Sequence, residues 1–355
     1  MTRIFEELLK KRGVNHNFLS PKYRVDLAEK LPDIEIAASR IAEAVAKQET
    51  VLVYGDYDVD GVTASTLMYD CLRLSGVENV SVMLPDRFID GYGMGGRVVG
   101  RAEELGATLI ITVDCGSNNA EVIDKLKARG VDVIVTDHHE IMKEIPKGAI
   151  AVVNPKRDEQ SEIRELCGCG VAFLVMQKMV NLGYIPEGRE KWYLDLVLIG
   201  TLCDSMMIDS VNRMLSFYGM KVLKKTRRPG LIELLKASKA NKINSETIGF
   251  QLGPRLNAGG RMESAEISLK LLMAENHQDA NKLAMRLNEL NMARRESQKK
   301  AISEIAAPED DVIVVAGKWH EGVLGIIAGR LVEKYHKPAF VLSEVEKLSL
   351  IHISE

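Results

Sequence analysis

Between residues 35 and 155 short β-branched runs alternate with amphipathic stretches. VLVY at 51–54, VSVML at 80–84, TLIITV at 108–113, VDVIVT at 131–136 and AIAVV at 149–153 read as strands. The segments 36–48, 61–75, 97–106 and 118–130 between them read as helices. This alternation predicts a mostly parallel sheet covered on both faces. From about 170 to 240 the periodicity is helical throughout. The stretch 278–306 carries neither Gly nor Pro and keeps helical spacing, which predicts one long connecting helix. DVIVVAG at 311–317 and PAFVL at 338–342 then flank a helix at about 322–335 and open a second α/β unit. A lone strand–helix–strand buries its sheet faces poorly, so this second domain is expected to be incomplete. The final EVEKLSLIHISE gives no closing pattern and reads as a truncated or foreign-encoded tail. The predicted class is α/β: a mostly parallel sheet domain with a helical extension, a long connecting helix and an incomplete second α/β domain.

A length of 355 residues predicts two or three domains. With 46% hydrophobic and 27% charged residues the composition is that of a folded globular chain. Lys and Arg total 47 against 50 Asp and Glu, so no bulk positive charge coats the molecule and a phosphate-bearing partner must be gripped locally. Five Cys, an odd and small number, fit a reducing compartment better than a disulfide framework. Cys167 and Cys169 have no second pair and read as non-zinc. MTRIFEELLKKRG lacks the apolar core of a secretory signal, and no segment approaches a membrane span, so a cytoplasmic protein without membrane contact is expected.

The candidate chemistry lies where strands end. GDYDVDG at 55–61 sets Asp56, Asp58 and Asp60 at alternate positions after the first strand. VDCG ends the third at Asp114, and VTDHHE ends the fourth at Asp137, His138 and His139. In an open α/β sheet those ends share one edge, and ligands bind in the crevice outside it. Five carboxylates and two imidazoles converging there repel one another unless something positive lies between them. A pair of divalent cations does so, and carboxylate-rich sets with His suit Mn²⁺ or Mg²⁺ better than structural zinc. Such ions can activate water and stabilise a leaving oxygen in phosphoester hydrolysis. Asp after a strand is often a helix N-cap or turn former, but three strand ends with a double His are hard to attribute to capping. LDLVLIGTLCD at 194–204 adds Asp204 at the end of a nearly apolar run, as a further ligand or a cap for the next helix.

GDYDVDG, VDCG, TDHH, GTLCD and the later GPRLNAGGRM, in this order, resemble the DHH phosphoesterase superfamily, and within it the RecJ-type exonucleases. The resemblance spans about residues 35–345. It implies that Asp58, Asp60, Asp114, His138 and Asp204 are metal ligands, with Asp56 a further candidate. It also implies that His139 lies beside the attacked phosphate and that Asp137 orients the imidazoles. The implied organisation is an N-terminal extension at 1–34, a DHH domain with helical subdomain at 35–240, a substrate-motif segment and connecting helix at 241–307, and the start of the DHH-associated domain at 308–355. Many members have His ahead of the first carboxylates where this chain has Tyr54, which would weaken the first metal site or make it rely on Asp56. The family's later phosphate-binding motif and its oligonucleotide-binding fold are not in this sequence, so weakened DNA binding is expected.

PDRFIDGYGMGGR at 85–97 offers Arg87 and Tyr92 in a Gly-rich loop, a cation for phosphate and an aromatic ring for a base. The family carries this loop at the substrate's 5′ end. GPRLNAGGRM at 253–262 sets Arg255, Asn257 and Arg261 among small and turn-forming residues, as substrate contacts or as a simple connector. His320 faces the cleft or packs in its loop, and KVLKKTRR at 221–228 reads as a solvated helical face. The function expected from the resemblance is metal-dependent degradation of single-stranded DNA from 5′ to 3′ into mononucleotides, in repair and recombination. Single-strand-binding protein and a helicase are the implied protein partners. A phosphoesterase for short oligonucleotides or cyclic dinucleotides is the enzymatic alternative, and a non-catalytic DNA-binding scaffold the other.

Overall fold

The computed structural model describes residues 3–14, 16–91, 93–208, 210–306, 310–344 and 351–354. Strands β1 Thr50–Tyr54, β2 Asn79–Met83, β3 Leu109–Val113, β4 Asp132–Thr136 and β5 Ala151–Val153 form one sheet in the order β2-β1-β3-β4-β5. Every neighbouring pair is parallel, with Val51 beside both Val80 and Leu109, and Ile134 beside Ile111 and Ala151. Helices α1 Ile34–Lys47, α2 Val59–Ser75, α3 Arg97–Leu105, α4 Ala120–Lys127 and α5 Gly168–Asn181 cover it. Strand residues alternate between two cores, as the two-residue period of a strand requires. Val51, Val53, Ile111 and Ile134 pack on the side of α1, α2 and α5. Leu52, Tyr54, Ile110 and Val133 pack on the side of α3 and α4. With both faces buried, the strands read as unbroken apolar runs.

Helices α6 Leu194–Cys203, α7 Ser210–Leu223 and α8 Pro229–Ser238 continue the first core. Helix α9 Gly253–Met262 follows a π-helical turn at Ile248–Leu252. It packs along α10 His277–Glu304, the long helix expected from the sequence. The turn-forming residues of GPRLNAGGRM are thus helical rather than a connector. Pro254 sits in the first turn, where its missing N–H costs nothing. The glycines serve close packing against protein: a Cβ on Gly260 would lie 3.1 Å from the Tyr57 carbonyl, and one on Gly259 would lie 2.8 Å from that of Ser264. Tertiary contact here outweighs poor helix propensity.

The second unit holds β6 Ile313–Gly317, helix α11 Leu324–Tyr335 and β7 Ala339–Ser343, with β6 and β7 parallel. A third strand, β8 Ile351–Ser354, pairs antiparallel with β7. EVEKLSLIHISE carries no closing pattern in its sequence, and the open edge of β7 offers unpaired backbone groups to an extended segment. Met262 packs against both the main core and the core of this unit, and Gly322 lies so close to the Arg261 backbone that a side chain could not be added there. In the basic run at 221–228 the last residue is not solvated: Arg228 pairs with Asp70 at 3.1 Å and donates to the Leu272 carbonyl.

Candidate metal centre

The strand order reverses between β1 and β3, and the acidic segments leave the sheet at that switch point. Asp56 and Asp58 follow β1, and Asp58 caps α2 by accepting from Gly61 N at 3.0 Å. Asp60 lies in the first turn of α2, and its carboxylate accepts from Gly168 N at 2.5 Å and Cys169 N at 3.0 Å. The amino end of α5 thus holds this carboxylate with both N–H groups and dipole. Asp114, directly after β3, is buried and adopts φ +61°, a left-handed conformation that costs energy for a residue with a Cβ and recurs at functional sites. Asp204 ends α6, where the negative end of the helix dipole disfavours a carboxylate.

These groups meet at His138. Its Nε2 lies 3.0 Å from Asp114 Oδ1, 3.6 Å from Asp204 Oδ2 and 3.7 Å from Asp60 Oδ2. Ligand-bearing atoms of three sets, Asp56–Asp58–Asp114, Asp60–His138–Asp204 and Asp114–His138–His139, each lie within 4.8 Å of one another. Burial, then the neighbouring Asp58, pushes the Asp56 carboxyl up to about 7. Burial, then Asp60 and Asp58, does the same to Asp204, to about 7. Asp58 and Asp114 are raised as well, by burial and then by Asp60. Burial lowers the pKa of His138.

Asp137 behaves oppositely. Burial alone would raise it, but the hydrogen bond and charge of His139 and the Ser117 N–H outweigh burial and hold it at about 2. Its Oδ1 accepts from His139 Nδ1 at 2.8 Å and from His138 N at 2.7 Å, and its Oδ2 from Ser117 N at 2.9 Å. It therefore fixes the ring of His139, while toward His138 it holds only the backbone. Against the downward push of burial, the bond to Asp137 keeps the His139 pKa above the usual imidazole value.

The donor set fits a divalent cation on this structure's own terms. Asp114 Oδ1 and His138 Nε2 are both buried and neither makes a hydrogen bond, although they lie 3.0 Å apart. Buried polar atoms are normally satisfied. Two buried atoms of metal-ligating type lying side by side, ringed by carboxylates that repel one another, are satisfied by a hard cation with oxygen and imidazole preference. Cys167 is spent elsewhere, as the cap accepting from Gly170 N at 3.3 Å, and all five cysteines are free thiols.

Toward the second unit, the Arg87 guanidinium lies over the Tyr57 ring at 5.2 Å, and Phe88 meets His320 edge-on at 5.8 Å. His320 Nδ1 also accepts from Gly322 N at 3.1 Å. Tyr92 lies outside the described residues. Asn257 and Arg261 line a cleft of about 460 Å³ beside Cys203 and Ser205. Burial, and after it the charges of Arg87 and Arg294, brings the Arg261 pKa down to about 10. Arg255 is not in that lining; it donates to Asn288 Oδ1 at 3.1 Å and to the Gln251 carbonyl at 2.8 Å.

Several groups that shape the site were not singled out from sequence. A Cβ on Gly168 would lie 2.6 Å from Asp114 Oδ1, and one on Gly200 would lie 2.4 Å from Asp60 Oδ1. Asn154 donates to the His139 carbonyl at 2.9 Å and to Ser117 Oγ at 2.8 Å, bracing the double-His turn. Arg294 of α10 reaches the cleft, and its Nε is buried without a partner. Tyr54 points away from the metal ligands: its hydroxyl donates to the Gly93 carbonyl and accepts from Gly95 N, both at 3.2 Å, tying the 85–97 loop to β1.

A doubly wound parallel sheet with a carboxylate–imidazole edge is the architecture of a DHH phosphoesterase, and the profile of the DHH family's N-terminal domain matches residues 50–201. The single-stranded-DNA-specific exonuclease RecJ of Bacillus subtilis is 38% identical over 316 residues, covering 86% of this chain and 39% of that protein. The crystal structure of an exonuclease RecJ bound to manganese superposes with a TM-score of 0.81 at 31% identity, covering 88% of this chain and 80% of that one. RecJ of Thermus thermophilus in complex with Mg²⁺ gives a TM-score of 0.76 at 26% identity, over 98% of this chain and 48% of that one. The chain belongs to the RecJ family of DHH proteins. It spans about two fifths of the Bacillus subtilis relative's length.

Proposed function

We propose that this chain holds two Mn²⁺ or Mg²⁺ ions on Asp56, Asp58, Asp60, Asp114, His138 and Asp204 and hydrolyses the terminal phosphodiester at the 5′ end of single-stranded DNA, releasing mononucleotides, as a step of DNA repair and recombination. The observation that carries the reading is the unpartnered, buried pair Asp114 Oδ1 and His138 Nε2 inside a ring of carboxylates. When bound, such ions neutralise the phosphate and acidify a water molecule. Asp137, ionised down to about pH 2, keeps a proton on His139 Nδ1 and presents the ring beside the phosphate as a charge-stabilising and proton-bearing group. In this reading Asn257 and Arg261, which line the cleft, and Arg87 and His320, which lie outside its lining, orient the strand, and Tyr92 belongs to the same loop as Arg87. Arg255 acts through the α9–α10 contact. A helicase and a single-strand-binding protein are the partners such a substrate brings.

The small-substrate alternative is separated from this reading by one experiment. The purified chain with Mn²⁺ is given 5′-labelled linear single strands, single-stranded circles, blunt duplexes and dinucleotides. Mononucleotide release from the linear strands, with circles intact and dinucleotides slower, is the expected result. Preference for dinucleotides, or cleavage of circles, overturns it. A folded chain that binds strands in Mn²⁺ and cleaves none is the scaffold outcome.

A further inference from the structure

The basic run at 221–228 and the helix before it are not used by the metal centre, and their surroundings are unusual. Along α7, Arg213, Phe217 and Lys221 recur at i, i+4 and i+8, on one face of the helix. The Arg213 guanidinium lies 5.0 Å from the centre of the Phe18 ring and 5.5 Å from that of Phe217. The Lys221 ammonium lies 4.1 Å from the centre of Phe217 on the same ladder. Lys224 and Lys225 extend the row and are exposed. Beside it, Arg227 lies over Trp192 at 4.1 Å.

Arg213, Lys221 and Arg227 are held by rings, Arg213 also by donating Nε–H to the Phe18 carbonyl at 2.8 Å. Other cations of this surface are paired with carboxylates, as Arg24 is with Asp26 and Glu162, or Arg129 with Glu103, and some, such as Lys191 over Tyr23, are not. Among the described residues, none of Arg213, Lys221, Lys224, Lys225 or Arg227 has a carboxylate within 4.0 Å. An ion pair cancels the charge of the side chain it fixes, whereas an aromatic face positions a cation and leaves its charge uncompensated. The ladder also borders a groove of about 790 Å³ lined by Asn17, Phe18, Lys22, Arg213 and Met214. On a chain whose net charge is −3, this is a local, prepositioned cationic strip.

We infer that the α7 ladder is a second contact surface for the phosphate backbone of a single-stranded nucleic acid, outside the cleft that holds the scissile end. Arg213 to Lys221 spans about 12 Å at 1.5 Å per residue, the rise of three to four nucleotides at 3.4 Å each. Alternating cations and aromatic rings suit a flexible polyanion with stackable bases. The ladder starts shortly after Asp204 in sequence, and its helix packs along α6, the helix that Asp204 ends. The inference deepens the proposed function by giving the strand a path, yet its test reads binding and not cleavage.

The test replaces three exposed ammonium groups that touch no metal ligand: Lys221→Gln, Lys224→Gln and Lys225→Gln together, with the three Lys→Arg changes as the charge-preserving control. Fluorescence anisotropy with a dye-labelled thirty-residue oligothymidylate is measured across a salt series without Mn²⁺, and circular dichroism melting confirms folding. The Gln variant should bind about tenfold more weakly, with a log–log salt slope shallower by about 2, since each single-strand phosphate contact contributes about 0.7. The Arg variant should bind as the parent does, and binding of a dinucleotide should be the same in all three. Unchanged affinity and slope in the folded Gln variant overturn the inference. A loss of binding to an acidic peptide with none to oligothymidylate also overturns it, in favour of a protein partner. If no strand is ever cleaved by the parent chain but these shifts occur, the proposed activity fails and the ladder stands.

Discussion

Gly168→Ala tests whether the metal centre depends on the close approach of α5 to β3. The added methyl carbon would lie 2.6 Å from both Cβ and Oδ1 of Asp114 and 2.8 Å from its Cγ. Carbon atoms in contact sit about 3.5–4.0 Å apart, so about 1 Å of movement is required. Asp114 has little room to supply it, being buried at 1% exposure with φ at +61°. Movement of α5 instead would pull Gly168 N and Cys169 N away from Asp60, a second ligand candidate. Either way a ligand shifts by about 1 Å, a displacement that can cost on the order of a hundredfold in rate. Overpacking adds about 1–3 kcal/mol of destabilisation, which a chain of this size survives in part. The measurements are Mn²⁺ affinity by calorimetry, chemical denaturation, and mononucleotide release. Gly170→Ala, whose nearest neighbour would be Leu166 Cδ2 at 3.2 Å, should cost far less, and Gly100→Ala, with nothing within 4 Å, should cost nothing at this site. A Gly168→Ala protein with parental Mn²⁺ affinity and turnover would refute the steric argument and, with it, the assignment of Asp114 as a ligand.

Two further outcomes follow from the electrostatics. Asp56 and Asp204, raised to about 7, keep protons in the metal-free fold that the unfolded chain has released by about pH 4. Their stabilising contribution is complete below that unfolded value and is lost as pH rises through about 7. The metal-free protein should therefore melt lower at pH 8 than at pH 6, and Mn²⁺ should raise the melting temperature more at pH 8, with protons released on binding. Equal Mn²⁺-induced shifts at both pH values contradict the shared site. Asp137→Asn removes the charge that raises the His139 pKa, so the His139 titration followed by NMR should move downward and turnover should fall about 10- to 100-fold. An unmoved titration shows that something other than Asp137 holds the ring.

The strands, the main helices and the acidic edge were legible because each depends on local pattern: apolar runs of strand length, and carboxylates immediately after them. Sequence adjacency also brought Asp137 and the two histidines together. What stayed hidden depends on contacts between segments far apart. Gly168 and Gly200 matter only because Asp114 and Asp60 press against them, and a glycine in an apolar helix gives no sign of that. Arg294 sits in a long polar helix among other charged residues, and only the packing of α10 brings it to the cleft. GPRLNAGGRM resembled a loop because its composition disfavours helix, but small residues are what allow α9 to lie against the Tyr57 backbone. Arg228 looked like the last member of a solvated row, and its pairing with Asp70 joins positions 158 residues apart.

Tyr54 gives the 85–97 loop a fixed origin. Its hydroxyl takes both partners, the Gly93 carbonyl and Gly95 N–H, from the loop, while its backbone is the last residue of the strand that delivers Asp56, Asp58 and Asp60. Loop and carboxylates are thereby measured from one point, as graduations on a single ruler. A shift at the end of β1 therefore moves the anchor of the loop and the origin of the carboxylate segment together. Exchange of this loop among relatives is accordingly a two-part transplant: the incoming loop keeps its anchor only where the strand retains a tyrosine hydroxyl at position 54.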